Sequence, residues 1–301
     1  MQRFLLFPLI TSSFFLMNTS ASAAPSTIPA IPLQVVRQVQ VDMPAADTWA
    51  LIQDFGQLHD WHPGVIHTRI VSGTDNTPGA LRELTLPNGD AMFEQMTEFE
   101  PARMRFAYII TKGTLPIRDY SSRMSVTALG DNKSRIDWDG TFVRADPAEK
   151  PASGKDDAAA VQTVAAVFDS GLASIGRIAA DRKAIQQVIG WYADGGTRGD
   201  PKTVARAFHP SATLKFVRDG TLVDEPIEVF FRDYIRSGVA QKRTVHTDRI
   251  DIQGSAASAR LTIDYPTHKF VDYFNLLKID GHWLIVSKIF HRMDKGAQPT
   301  R

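Results

Sequence analysis

The stretch Asp272-Tyr-Phe-Asn-Leu-Leu-Lys-Ile-Asp-Gly-His-Trp-Leu-Ile-Val-Ser-Lys-Ile-Phe-His291 narrows the fold more than any other part of the chain. Two apolar-rich runs flank Asp280-Gly281, a pair that tolerates the positive φ angles of a two-residue type I′ turn. The twist of that turn matches the twist of paired strands, so a long antiparallel hairpin of fixed register is predicted. Such a hairpin needs cover for one face. Upstream, Ile185, Val188, Ile189 and Tyr192, then Val204, Ala207 and Phe208, then Ile227, Phe230, Phe231, Tyr234 and Ile235 recur at helical spacing and supply it. Helices followed by a curved sheet predict an α+β, cone-shaped barrel over residues 182–295.

A second unit is predicted over residues 33–181. A strand from Val35 to Val41 leads to Pro44, which opens an apolar-periodic helix containing Trp49, Ile52 and Phe55. Alternating strands follow at about 79–86, 91–99, 104–111, 122–129 and 135–142. Val161, Val164, Ala165, Phe168, Leu172, Ile175 and Ile178 then form the stripe of a long closing helix that lies across the sheet. Arg144 to Asp157 is too charged and too rich in Pro and Gly to bury, and predicts a mobile surface loop. Around Asp181 there is no helix breaker between the two apolar stripes, so a continuous or merely kinked helical joint is expected instead of a flexible linker.

Arg3 precedes the apolar run Phe4 to Met17, and Ala21-Ser-Ala23 follows with the small residues that a signal peptidase needs. Residues 1–23 therefore predict a cleaved signal peptide and a periplasmic or secreted protein, since the run is short for a retained span. The chain has no cysteine, which excludes disulfides, thiol catalysis and thiolate metal sites. With 34 basic and 33 acidic residues it has no field of one sign to attract nucleic acid or, after signal cleavage, a membrane.

Thr48-Trp-Ala-Leu-Ile-Gln-Asp-Phe-Gly56, Trp61-His-Pro-Gly64, Gly113-Thr-Leu-Pro-Ile-Arg-Asp-Tyr120 and Trp138-Asp-Gly-Thr-Phe142 resemble the START-like (SRPBCC) superfamily in its polyketide cyclase/dehydrase branch. That resemblance implies a helix-grip fold, an antiparallel sheet wrapped on a long C-terminal helix. Tyr192-Ala-Asp-Gly195, Gly199-Asp-Pro201, Ala207-Phe-His-Pro-Ser-Ala212, Val217-Arg-Asp-Gly220, Ile263-Asp-Tyr265 and the hairpin resemble the nuclear transport factor 2-like superfamily, in its lumazine-binding or SnoaL-like group. Isomerases, dehydratases, hydrolases and binding modules share that second scaffold, so the resemblance implies fold and leaves chemistry open.

Candidate site residues divide between the units. His59, His62 and His67 lack a carboxylate at ligand spacing, and no metal or cofactor is predicted. Trp61 and His62 instead read as packing or lid residues above a ligand. The resemblance to plant hormone receptors of the START-like superfamily implies that Leu86–Asp90, with Pro87, and Gly113–Tyr120, with Pro116 and Tyr120, correspond to a gate and latch. The bland alternative is two hairpin turns. Trp138 and Phe168 complete the candidate ligand-binding set of this unit. On the strand near 91–99, Met92, Glu94, Met96 and Glu98 share one face, and the glutamates are expected in solvent. If that face is internal, the carboxylates need a cation nearby, and Arg82 or Arg123 on neighbouring strands could supply it.

In the cone, Tyr192, Phe208, Phe230, Tyr234, Phe274 and Trp283 are the ligand-binding candidates. Family enzymes pair His and Asp at the cone's mouth, so the resemblance draws in His246, Asp264, His268, Asp272, Tyr273 and His291. Alternation places Asp264 outside. It places Asp272 with Phe270, Phe274 and Leu276, and His291 with Trp283, Ile285 and Ile289, which makes Asp272 and His291 the catalytic candidates unless they only satisfy one another. The leading expectation is an exported protein that binds a small hydrophobic or aromatic molecule in its cavities. The alternative is a cofactor-independent isomerase, dehydratase or cyclase working by His/Asp proton transfer, and a homodimer through the outer face of the cone's sheet is a third reading.

Overall fold

The computed structural model describes residues 31–296; the predicted signal peptide lies outside the described residues. The first sheet is wholly antiparallel, in the order β1-β7-β6-β5-β4-β3-β2. Its strands are β1 (Leu33–Val41), β2 (His67–Ser72), β3 (Leu81–Thr85), β4 (Ala91–Glu100), β5 (Arg105–Lys112), β6 (Ile117–Gly130) and β7 (Lys133–Arg144). Helix α1 (Ala45–Ile52) follows β1 and buries Trp49 and Ile52. β2 lacks a strong alternating pattern and is absent from the sequence-based expectation.

Helix α2 (Asp157–Arg198) is a single helix of 42 residues. The Asp156 carboxylate caps it by accepting from the Ala159 amide at 2.8 Å, and Gly199 ends it with φ of 67°. Phe168, Leu172 and Ile175 belong to the first core, and Ile185, Val188, Ile189 and Tyr192 to the second. The helix runs unbroken through Asp181, as the absence of a breaker predicts. Asp181 there accepts from Lys278 Nζ at 2.7 Å and Trp283 Nε1 at 2.9 Å, while Arg182 donates to Asp47 at 3.2 Å.

The second sheet has the order β10-β11-β12-β13-β8-β9. It comprises β8 (Phe208–Arg218), β9 (Thr221–Pro226), β10 (Thr244–Gln253), β11 (Ala256–Asp264), β12 (His268–Ile279) and β13 (His282–Asp294), and only the β13–β8 pairing is parallel. Asp280 and Gly281 have φ of 49° and 82°, the two positive angles of the type I′ turn, and Ile279 pairs with His282 across it. α3 (Pro201–Ala205) is shorter than the apolar spacing implies, and Phe208 begins a strand. Pro210 disfavours helix in the residue before it, so the chain extends there. Phe230–Tyr234 forms one π-helical turn after the short α4 (Ile227–Val229).

At Gly171, α2 has no room for a side chain: a Cβ would lie 2.7 Å from His62 Cδ2 and 2.8 Å from Trp138 Cζ3, whereas one at Gly176 meets nothing within 4 Å. Gly171→Ala is expected to destabilise by about 1–3 kcal/mol through overpacking, despite alanine's better helix propensity. Gly176→Ala is expected to stabilise by up to about 1 kcal/mol. Urea denaturation midpoints check both; equal behaviour of the two variants would refute the close contact at Gly171.

Candidate functional site

Between the inner face of the first sheet and α2 lies a cavity of about 310 Å³. Leu84, Met92, Tyr108, Ile110, Trp138 and Phe168 form most of its wall, and Pro87, Asn88 and Leu115 from the two proline-bearing loops, with Tyr120 from the start of β6, also line it. Trp138 stacks on Phe168 with ring centroids 4.3 Å apart and donates its indole N–H to Ser122 Oγ at 3.0 Å. That fixed indole gives the cavity a flat aromatic wall. His62 enters from the 3₁₀ turn Phe55–Asp60 and is buried; its Nε2–H donates to the Val167 carbonyl at 3.1 Å, and its Nδ1 accepts from the Gly64 amide at 3.1 Å. Both ring nitrogens are used by a neutral imidazole, and burial holds its pKa below the ordinary histidine value.

Glu94 faces this cavity from β4 and is buried, contrary to the expectation of a solvated glutamate. Arg82 on the adjacent strand makes that burial possible. Its Nε donates to Glu94 Oε2 at 2.7 Å and its Nη1 to the Phe55 carbonyl at 2.8 Å, while the guanidinium lies 3.8 Å from the Phe55 ring centroid. Two charges leave water together, each hydrogen-bonded, so neither is orphaned. A bulge between Met96 and Glu98 then reverses the alternation. Phe99 packs against the core, and Glu98 turns outward to Arg105 at 2.7 Å and Arg123 at 3.5 Å. Burial pushes the Tyr108 hydroxyl up to about 12, with the Glu94 charge adding to it, and pushes Tyr120 well above its ordinary range. Both phenols stay protonated donors.

The cone encloses a second cavity, of about 330 Å³, walled by Phe230, Tyr234, Tyr265, Phe270 and Phe290. At its base Asp272 is 1% exposed. Its Oδ2 accepts from the Tyr192 hydroxyl at 2.5 Å and is ion-paired with Lys288 Nζ, whereas its Oδ1 is buried without a partner. The Lys288 ammonium lies 4.8 Å from the Phe290 ring centroid and 5.4 Å from those of Tyr192 and Phe274. Burial pushes its pKa down against the pull of the Asp272 carboxylate. Burial, and then the Asp272 charge, hold the Tyr192 phenol well above its usual range.

Two family models match in tandem. Residues 32–179 match the model described as polyketide cyclase/dehydrase and lipid transport, and residues 180–291 the model described as putative lumazine-binding, of the nuclear transport factor 2-like group. The chain joins a polyketide cyclase/dehydrase-type domain to a nuclear transport factor 2-like domain. Among curated proteins it is similar to the aldolase FrzH of Cladobotryum sp, 29% identical over 102 residues that make up 33% of this chain and 82% of that one. Among solved structures it is similar to a nuclear transport factor 2-like protein of unknown function from Shewanella baltica, with 37% identity, 38% of this chain and 95% of that chain covered, and a TM-score of 0.36. It is also similar to the Zhui aromatase/cyclase of Streptomyces sp. R1128, with 17% identity, 50% and 96% coverage, and a TM-score of 0.41.

In the cyclase/dehydrase-type domain, His62, Pro87, Tyr120, Trp138 and Phe168 meet at the cavity. Trp61 is buried behind it, edge-on to Trp138 at 5.8 Å, and Pro116 turns away, its carbonyl accepting from the Ala145 amide at 2.9 Å. In the nuclear transport factor 2-like domain, Tyr192, Phe230, Tyr234 and Asp272 line the cavity, while Phe208 and Phe274 pack in the core behind it. Trp283 lies elsewhere, at the joint with Asp181.

His291 does not meet Asp272. Val286 is an extra residue in β13, because Leu276 pairs with Ile285 but Asn275 pairs with Ser287. The bulge reverses which residues face inward: Trp283 and Ile285 are inside before it, Lys288 and Phe290 after it, and Ile289 and His291 turn outward. Strict alternation would turn Ser287, Ile289 and His291 inward; the bulge turns Lys288 and Phe290 inward instead, and Lys288, not His291, is the cation that Asp272 meets. Asp264 is on the surface beside Lys295, and His246 is also exposed. Sequence reasoning missed Lys288 and Arg243. The one available signal for Lys288 was a lysine embedded in the apolar run of β13.

Glu94→Leu leaves the Arg82 charge buried without its counter-ion and is expected to cost about 3–5 kcal/mol. Arg82→Met combined with Glu94→Leu should recover most of that loss. Urea denaturation of the three proteins checks this; a single variant as stable as the parent would refute the buried pair.

Proposed function

We propose that the protein binds a small hydrophobic or aromatic molecule in the cavity of its cyclase/dehydrase-type domain. The observation that carries this reading is the hollow of about 310 Å³ between sheet and α2, walled by aliphatic side chains and the Trp138 and Phe168 rings. Pockets of this size and lining bury most of a small ligand. Tyr108, Tyr120 and the Arg82-paired carboxylate of Glu94 supply the few polar groups that orient it. Pro87 and Leu115 stand at the wall from the two loops likened above to gate and latch.

A second reading, a cofactor-independent cyclase or isomerase in the other domain, is favoured by one observation. Asp272 lines the cone cavity and its buried Oδ1 has no partner, so this carboxylate has capacity to accept a proton from a bound carbon acid while Lys288 and Tyr192 hold Oδ2.

Fluorescence titration with N-phenyl-1-naphthylamine tests the first reading. One molecule is expected to bind per chain, quenching tryptophan emission, and Val167→Trp, which fills the cavity wall, should weaken it by about tenfold or more. Unchanged affinity in Val167→Trp would sink it. Exchange of α-protons of a cyclic enone in D₂O that Asp272→Asn abolishes would move the assignment to the second reading.

We further propose that the chain is exported, on the strength of Arg3, the run Phe4 to Met17 and Ala21-Ser-Ala23, and that it pairs with a second copy. Tyr273 and Ile289 are register partners on the outer face of the second sheet and are 46% and 47% exposed, an apolar surface suited to such pairing. Native mass spectrometry of a periplasmic extract is expected to give a dimer of chains beginning at Ala24. Monomers retaining Met1 would contradict both proposals.

A further inference from the structure

Arg243 opens β10's approach to the cone and is the one guanidinium in the cavity wall that the body of the domain grips from several sides. Its Nε donates to Thr197 Oγ1 at 3.1 Å, Nη1 to the Tyr265 hydroxyl at 2.9 Å and Nη2 to the Ala193 carbonyl at 3.1 Å. All three acceptors are neutral, and among the described residues no carboxylate pairs with it. A guanidinium carries five N–H donors, so one on each terminal nitrogen remains. The seat is built for it: a Cβ on Gly196 of α2 would lie 2.1 Å from Nη2. Only a residue without a side chain lets the guanidinium rest against the helix.

The charges around the cavity are unequal. Lys288 is matched by Asp272, which leaves Arg243 and, at the rim, Arg236 without acidic counterparts in the wall. His268, held below its ordinary pKa by burial and by the Arg292 charge, adds a neutral ring stacked on Tyr265 at 4.6 Å. The remaining wall is apolar, chiefly Phe230, Ile263, Phe270 and Phe290. A partly buried cation that has lost water without gaining a counter-charge is a place where an incoming anion is favoured. The planar fork suits a carboxylate, which can accept from both terminal nitrogens.

We propose that the cone cavity is a separate binding site for a small aromatic or apolar molecule bearing one carboxylate, with the carboxylate on Arg243 and the apolar body against Phe270 and Phe290. This does not depend on the reading of the other domain. Calorimetric titration of the whole protein with 2-naphthoate and with its neutral isostere 2-naphthamide tests it. Naphthoate is expected to bind at least tenfold more tightly. Arg243→Met should remove that preference, and Gly196→Ala, which keeps every polar group but displaces the guanidinium, should reduce it. Val167→Trp, which alters only the other cavity, should leave naphthoate binding intact. Thermal melts establish that each variant is folded; should Arg243→Met fail to fold, Gly196→Ala and Arg243→Lys, which keeps the charge and loses the fork, carry the same comparison. Equal affinity for the two probes, a preference that survives displacement of Arg243, or loss of naphthoate binding in Val167→Trp would overturn the proposal.

Discussion

One continuous helix closes both cores, and the rest of the molecule is arranged around that constraint. At 1.5 Å per residue, the 42 residues of α2 extend about 63 Å, enough to cover one sheet with its first half and another with its second. Phe168 and Ile175 on one stretch, and Ile185 and Tyr192 on the next, have little stability as an isolated helix; burial against the two sheets makes the helix persist. The same helix forms a wall of both cavities, through Phe168 in the first and Tyr192 and Gly196 in the second.

The two cavities solve the problem of internal charge differently. In the cyclase/dehydrase-type domain, Arg82 and Glu94 neutralise each other beneath an aromatic wall, and the guanidinium spends its remaining capacity on the Phe55 carbonyl and ring. In the nuclear transport factor 2-like domain, Asp272 and Lys288 neutralise each other but leave Asp272 Oδ1 unpartnered, and Arg243 adds an unmatched cation. A closed pair serves orientation of a mostly apolar guest. An incompletely satisfied set is the arrangement expected where a ligand or a proton supplies the missing partner.

Much of the architecture was legible because it follows from local rules. The Asp280-Gly281 turn needs positive φ at both residues, and few other pairs tolerate it; the α2 stripes keep helical period on both sides of Asp181; Asp272 alternates with Phe270 and Phe274 along an uninterrupted strand. The misreadings fall where period 2 is broken. A bulge after Met96 redirects Glu98 and Phe99, and the bulge at Val286 turns His291 outward and Lys288 inward. A lone glutamate on an alternating strand belongs in solvent, and only the neighbouring strand brings Arg82 to Glu94.

By itself, then, the sequence determined the α+β class, the order of the two units, the joining helix, the hairpin and the burial of Asp272. Those depend on turn dihedrals, side-chain period and the absence of helix breakers, all encoded within a few residues. Tertiary structure alone decided which cation Asp272 meets, that Glu94 is internal, and that Arg243 sits against Gly196 near the end of α2. The physical reason is shared. A bulged residue shifts register only relative to a partner strand, and a charge is affordable inside only when a distant segment delivers its partner, so neither outcome can be read along a single stretch of chain.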